Sequence, residues 1–545
     1  IIKQQEEHTM KKVLILVLCL VMLLGCVACG GKSTQSSPSP GASTPTGGNV
    51  TDSKETPEQK DTPKRDSISI ATQYDYGTLD TISMPSYGFD PIVCVMETLW
   101  DCGLDGSIVP VLAESWEWPE DDHMVIHLKK GITFSNGNPL TADDIMFTLN
   151  LMNQTKNAYT PARIQTTDFE RTKVRDEYTF DWYLKAPNII HYSIGAQMFI
   201  YDAESYDPNI QSVAPIGTGP YVVKEYVINS HTILERRDDY WGELPELKTI
   251  TFRVLAEPSQ RVNALETGLV DAAPVALADV DYVDNLPGVK VRSRPGSWVY
   301  LGVNISPDGK LADPEARYAI FHAIDTEAIS KLVYYGKARP MRSPFTPAIV
   351  DLEDDMLDLG VYAKGYDPEL AKQLAEKSGL KGKTLILANN GTAEFITISE
   401  MVQNMLANIG VNVEIRSYDT ASYTDIKNDK TAFDILISNG VCANMRLGDS
   451  FINSIIHNKI YGVKEHWAYG HGDRYWEIMN GALTIMDDAE RAKVNKELMT
   501  YYVETSPTFG LVEYDSFFAF PEDLNLDNYM DRIITNYYAR DFSFR

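Results

Sequence analysis

Residues 384–417 carry the tightest constraint on how this chain can fold. "TLILAN" reads as a strand, "SEMVQNMLANIG" as a helix closed by Gly410, and "VNVEIRS" as a second strand in which Val411, Val413 and Ile415 alternate. Strand, helix and strand in that order make a β-α-β unit, whose strands run parallel through a right-handed crossover. "AFDILISNG" adds a further buried strand. Two more helices announce their own starts. "DPEARYAIFHAI" has Asp313 as cap and Pro314 in the first turn, and "DPELAKQLAEKSG" repeats the device with Asp367 and Pro368 and closes on Gly379. The class is α/β with several sheets.

Upstream the pattern is mostly strands. "DSISIATQ" alternates and reads as a first strand; "MVIHLKK" is another, followed by a "SNGNP" turn. "TADD" spells a capping box, Thr141 with Asp144, ahead of a helix whose Ile145, Leu149 and Met152 share a face. "GTGPYVVKEYV" turns on Gly217 and Gly219 into a strand. Its GxG precedes a strand, whereas a dinucleotide loop follows one and opens a helix. "HTILERRDDYWG" gives one more strand and a turn. "DPIVCVMETLWD" reads as helix, which sets Cys94 and Cys102 about 12 Å apart along its axis, beyond the roughly 7 Å that a disulfide spans. Both are expected to be free, buried thiols.

The first 65 residues are of another kind. Met10-Lys11-Lys12 precede an oily run, Val13 to Leu24, too short for a span that needs roughly 20 apolar residues. The run ends in "GCVACGGKS". Small residues directly before Cys26 and Cys29 mark a lipoprotein signal rather than a CxxC metal or redox motif. Cys29 is the expected lipidation site, and Cys26, with Leu23 three residues before it, is the alternative. Residues 30–65 are rich in Ser, Pro, Thr and Gly and have too little apolar surface to fold. They read as a disordered tether after a 1–29 segment of upstream residues and signal peptide. The remaining body, about 480 residues, exceeds what one hydrophobic core usually holds. The net charge of −27 would repel phosphates, so nucleic acid is no partner.

Six segments, in order, carry a resemblance: "LAESWEWPEDDHMVIHLKKGITFSNGNPLTADDIMFTL", "PIGTGPYVVKEY", "LERRDDYWG", "RVNALETGLVDAA", "ARYAIFHAIDTEAISKLV" and "YDPELAKQLAEKSG". Over about 67–530 the chain resembles the family 5 extracellular solute-binding proteins, the oligopeptide, dipeptide and nickel receptors of ABC importers. The resemblance implies a bilobal periplasmic-binding-protein-like clamshell, type II with an extra inserted domain. Domain I is expected at 66–100, 213–290 and 516–545, the inserted domain II at 101–212, and domain III, the second lobe, at 291–515. It further implies a lipid-anchored monomer on the outer face of the cell membrane, or in the periplasm of a Gram-negative cell. Such a protein captures a solute, with a peptide expected first, closes over it and delivers it to the permease. No cofactor is implied.

The resemblance also points to ligand contacts. In "DILISNGVCANMRLGDSF" the residues Gly440, Val441, Cys442, Ala443 and Asn444 stand where the family's oligopeptide receptors have Gly-Trp-Cys-Ala-Asp, whose Asp binds the peptide's α-amine. Asn444 can bond an amine but cannot neutralise it. Another acid, Asp449 among the candidates, would have to do so, or the ligand lacks an amine there, or Asn444 only caps a turn. In "TLDTISMPSYGFD" Met84, Ser86 and Tyr87 are expected to face the ligand, with Tyr76 behind them. Trp298 and Tyr300 of "GSWVYLGVN" either stack on the ligand or belong to the core; Arg446 either meets a carboxylate or lies on the surface.

Other chemistries fit less well. His457, His466 and His471 have spacings that match no compact metal motif, so no metal site is expected. G-x-S-x-G, H-E-x-x-H and the familiar Cys/His signatures do not occur, so the chain is not read as an enzyme, and a lipid-anchored hydrolase is the weakest rival. A peptide-sensing receptor is the other alternative, since its binding event is the same.

Overall fold

The computed structural model describes residues 65–84, 90–104, 106–155, 164, 166–188, 191–346, 349, 351–427, 429, 431–441, 473–505, 508–527, 529, 531, 532 and 537–545. Three main sheets organise them. The first has four strands in the order Ser67–Thr72, Thr249–Val254, His231–Arg236 and Tyr221–Val227. The first pair is parallel and the other two are antiparallel. Alternation in "SISIAT" buries Ile68 and Ile70, which pair with Ile250 and Phe252. The second sheet is antiparallel: Ala113–Glu120, His123–Leu128, Thr179–Tyr183 and Lys173–Asp176. The helix Ala142–Gln154 packs on it, and Thr141 and Asp144 form the capping box that the sequence spells.

The third sheet has seven strands. Its path is Ala273–Val275, Thr508–Pro521, Val289–Val303, Ile435–Val441, Thr384–Asn389 and Asn412–Ser417, with Ala338–Pro340 paired to Thr508–Pro521. Two long antiparallel strands, Val289–Val303 and Thr508–Pro521, are its spine. Their register shifts between Pro295 and Ser297, where Gly296 is the extra residue. A Cβ on Gly296 would stand 2.5 Å from the Ser516 backbone nitrogen, so only glycine fits this bulge. At the far edge lies the β-α-β unit: Leu385 pairs with Val413 and Leu387 with Ile415, in parallel. Its helix is Ala393–Asn408, and Gly410 at φ +81° turns the chain back. The helix begins six residues before the "SEMVQ" start that the sequence suggests, because the Thr392 hydroxyl accepts the Phe395 N–H and caps it there.

The stretch 90–101 departs from its expected helix. It forms one 3-10 turn, Ile92–Cys94, and then enters the short strand Trp100–Cys102. Tertiary partners take the backbone groups that a helix would have used. Gly219 N–H donates to Val95 O at 2.9 Å, Ile200 N–H to Glu97 O at 3.1 Å and Val111 N–H to Leu99 O at 3.1 Å. Cys94 and Cys102 are free and buried, as expected. The first two sheets share one continuous core, and the β-α-β end of the third sheet has its own. Among the described residues, no helix is long and apolar enough to cross a membrane.

Candidate ligand-binding cleft

A cavity of about 500 Å³ opens where the first sheet meets the two long strands. Its near wall is the loop that leaves the carboxyl end of Ser67–Thr72, where Gln73, Tyr74, Asp75 and Tyr76 follow one another. Binding groups gather at carboxyl ends of strands in open α/β sheets because the loops diverge there. Phe252 and Val254 continue this wall, and Tyr226 closes it from the neighbouring hairpin. The floor is the bulge itself, with Ser297 on one long strand and Tyr514, Asp515 and Ser516 on the other. Asn439, from Ile435–Val441, faces in from the β-α-β side.

Asp75, Asp515 and Tyr514 are held from behind. Asp75 accepts three hydrogen bonds: Gly77 N–H at 2.8 Å, the Tyr226 hydroxyl at 2.7 Å and Asn229 N–H at 2.5 Å. Burial, and then that bond to Asp75, push the Tyr226 phenol well above its usual range, so it stays a donor. Asp515 pairs with the Arg339 guanidinium at 2.8 Å, and Arg339 also reaches Glu513 at 3.1 Å. Glu513 accepts the Thr346 hydroxyl at 2.9 Å. Tyr514 stacks on Tyr334 with ring centroids 5.0 Å apart, and the Tyr334 hydroxyl donates to Glu394. Burial raises the Glu394 carboxyl.

Met84 lines the cavity and is 5% exposed; Tyr76 lines it too. Trp298 is buried and sits across from Gly440 in the strand pair, its indole filling the space that a Gly440 side chain would need (ring atoms 2.3 Å from such a Cβ). Tyr300 packs against the core around the helices Asp473–Thr484 and Asp488–Thr505. Neither lines the cavity. Gly440 adjoins the lining residue Asn439, and Val441 ends that strand. Ser86, Tyr87, Cys442, Asn444, Arg446, Asp449, the three histidines of 457–471, and Cys26 and Cys29 lie outside the described residues. The residues that the sequence did not single out are Tyr74, Asp75, Tyr226, Ser297, Asn439 and Tyr514. The "YDY" triplet directly after a strand was the available signal for the first two.

Residues 107–462 match the family model of bacterial extracellular solute-binding proteins, family 5, middle part. The chain belongs to this family. Among its family 5 relatives, the nickel-binding periplasmic protein of Escherichia coli K12 is 28% identical over 360 residues, 60% of this chain and 66% of that one. The dipeptide-binding protein of the same organism is 27% identical over 353 residues, 58% and 64% of the two chains. Both matches span just under two thirds of the relative. A solved structure, the putative peptide binding protein AppA from Clostridium difficile, superposes with a TM-score of 0.75 at 17% identity, over 88% of this chain and all of that one. The fold is thus the α/β bilobal periplasmic-binding-protein clamshell of type II, as the sequence resemblance implied.

Proposed function

We propose that this family 5 protein is the substrate receptor of an ABC importer and that it captures a short peptide in the cleft. The observation that carries the reading is the make-up of the cavity. A tyrosine-rich loop from the first sheet faces the bulged spine and Asn439 from the β-α-β side. A ligand touching both walls stabilises whatever arrangement brings them together, which is the requirement for capture by a population shift. Closure of bacterial binding proteins about a hinge is a known case of this behaviour. Domain I takes 66–100, 213–290 and 516–545, domain II 101–212 and domain III 291–515. The strand content of the first two sheets, which stays inside I and II respectively, supports this division. The long spine strands then run between the lobes, and Gly296 sits at the crossing. Asn439 presents an amide and strand edges present backbone groups, both suited to the amides of an extended peptide. A relative is named for dipeptide binding, which favours the same class. The N-terminal sequence supports export and a lipid anchor at Cys29, or else Cys26, holding the body outside the membrane beside its permease.

The test is mass spectrometry of protein purified from its native host without added ligand, native first and then denatured. Short peptides released on denaturation are expected. A sugar or a metal chelate released in their place overturns the peptide assignment.

A further inference from the structure

Asp75 stands apart from the other acids of the cavity. Among the described lining residues there are three aspartates, Asp75, Asp90 and Asp515, and no lysine, arginine or histidine. Asp515 is offset by Arg339, which grips it at 2.8 Å. Asp90 is buried and accepts Tyr537 N–H at 3.2 Å. Asp75 is half-buried, and its three partners are two backbone amides and a phenol, all neutral. No described cation lies within ion-pairing distance of it. A carboxylate offers about four acceptor positions, so one remains to be filled. Three aimed donors, none of them charged, fix the carboxylate in place without cancelling its charge. The rings beside it are Tyr74, 68% exposed, and Tyr76 and Tyr226, and aromatic faces attract cations for the same electrostatic reason.

We infer that Asp75 selects ligands that carry a positive charge, placing a free ammonium or guanidinium of the ligand against the first-lobe wall. This rests on reading the cavity as the peptide site. It names what that site prefers, an unblocked or basic peptide over an acidic or blocked one. A purely architectural Asp75, a staple between the 73–77 loop and the 226–229 hairpin, would lack that preference.

The probes are Ala-Ala-Ala, N-acetyl-Ala-Ala-Ala and the nickel(II)–EDTA chelate, measured by calorimetry on the wild-type chain and on Asp75→Asn and Asp75→Glu. The expected result is that the free tripeptide binds wild type at least about tenfold more tightly than the acetylated one, the size of one charge-assisted bond. Asp75→Asn should erase that ratio and Asp75→Glu should keep part of it, with the melting temperature of each variant confirming that it folds. If Asp75→Asn weakens both tripeptides by the same factor, or if wild type does not tell them apart, the inference is overturned while the peptide reading stands. Binding of the chelate alone, or of none of the three, overturns both.

Discussion

Gly217 faces the backbone of Val95 so closely that a methyl there would stand 2.2 Å from the Val95 carbonyl oxygen. Nothing flexible can give way. Gly217→Ala should therefore cost about 1–3 kcal/mol, the usual penalty of forcing atoms into a filled site, measured by urea unfolding. Gly481, in a helix with open space around it, is the control: Gly481→Ala should be neutral or stabilising by up to about 1 kcal/mol. Equal effects at the two sites would refute the close approach. His191 gives a pH prediction. It is fully buried, bonded through Nδ1 to Asn188 O at 2.8 Å, with the Trp182 ring edge-on at 5.0 Å. Burial pulls its pKa from 6.5 down to about 4. Because the folded value is the lower one, the unfolded chain takes up the proton first. The contribution is full above about pH 6.5 and is lost as pH falls towards 4, on the order of 3 kcal/mol in all. In unfolding curves at pH 7.5 and 4.5, His191→Phe should lose less stability between the two than wild type; an unchanged loss would refute the assignment. At this scale the site was only partly legible. "GSWVYLGVN" shows by alternation that Trp298 and Tyr300 share a face, but not which face meets the cleft. The bulge at Gly296 and the neighbouring strands decide that, and they bring Ser297, of the opposite parity, to the cavity.

Elements were more readable, wherever their signals are local. The Thr141–Asp144 box closes as spelled: Thr141 N–H donates to the Asp144 carboxylate at 2.8 Å. Asp144 has a second task that no local pattern encodes, accepting Ala203 N–H at 2.9 Å. Thr141→Ala should accordingly cost about 1 kcal/mol, as lost caps do. Asp144→Ala should cost more, about 1–3 kcal/mol beyond that, because it leaves the Ala203 amide without its acceptor. Equal losses in urea unfolding would show that the bond to Ala203 contributes nothing. The β-α-β unit, the Asp-Pro helix starts and the glycine stops were all present in the sequence for the same local reason. Residues 90–101 were not. A short apolar run has no period to separate helix from strand, and the partners that hold it extended come from 111, 200 and 219.

The whole molecule depends on contacts that no window of sequence contains. Glu97 is fully buried and pairs with Arg540 at 2.8 Å, while the Tyr240 hydroxyl and the Trp241 indole N–H also donate to it. Arg532 bridges Asp101 and Asp541 and lies 3.5 Å over the Tyr538 ring. The last residues of the chain are thus riveted to its first hundred. Arg540→Met strands a buried carboxylate and should cost about 3–5 kcal/mol, while pairing it with Glu97→Gln should recover much of the loss. A double variant no more stable than the single one would contradict this. The order of six segments revealed the overall fold, but these charges converge only in three dimensions. The same region brings Arg65, the first described residue, against the last residues, its guanidinium 4.1 Å over the Phe544 ring. Dyes placed at Arg65 and Phe544 would therefore stay side by side and make poor reporters of the proposed closure. A biosensor of that proposed closure needs its second dye away from this junction, at a position such as Leu332, 71% exposed. The two described cysteines, Cys94 and Cys102, are buried and would not compete for a thiol-directed dye.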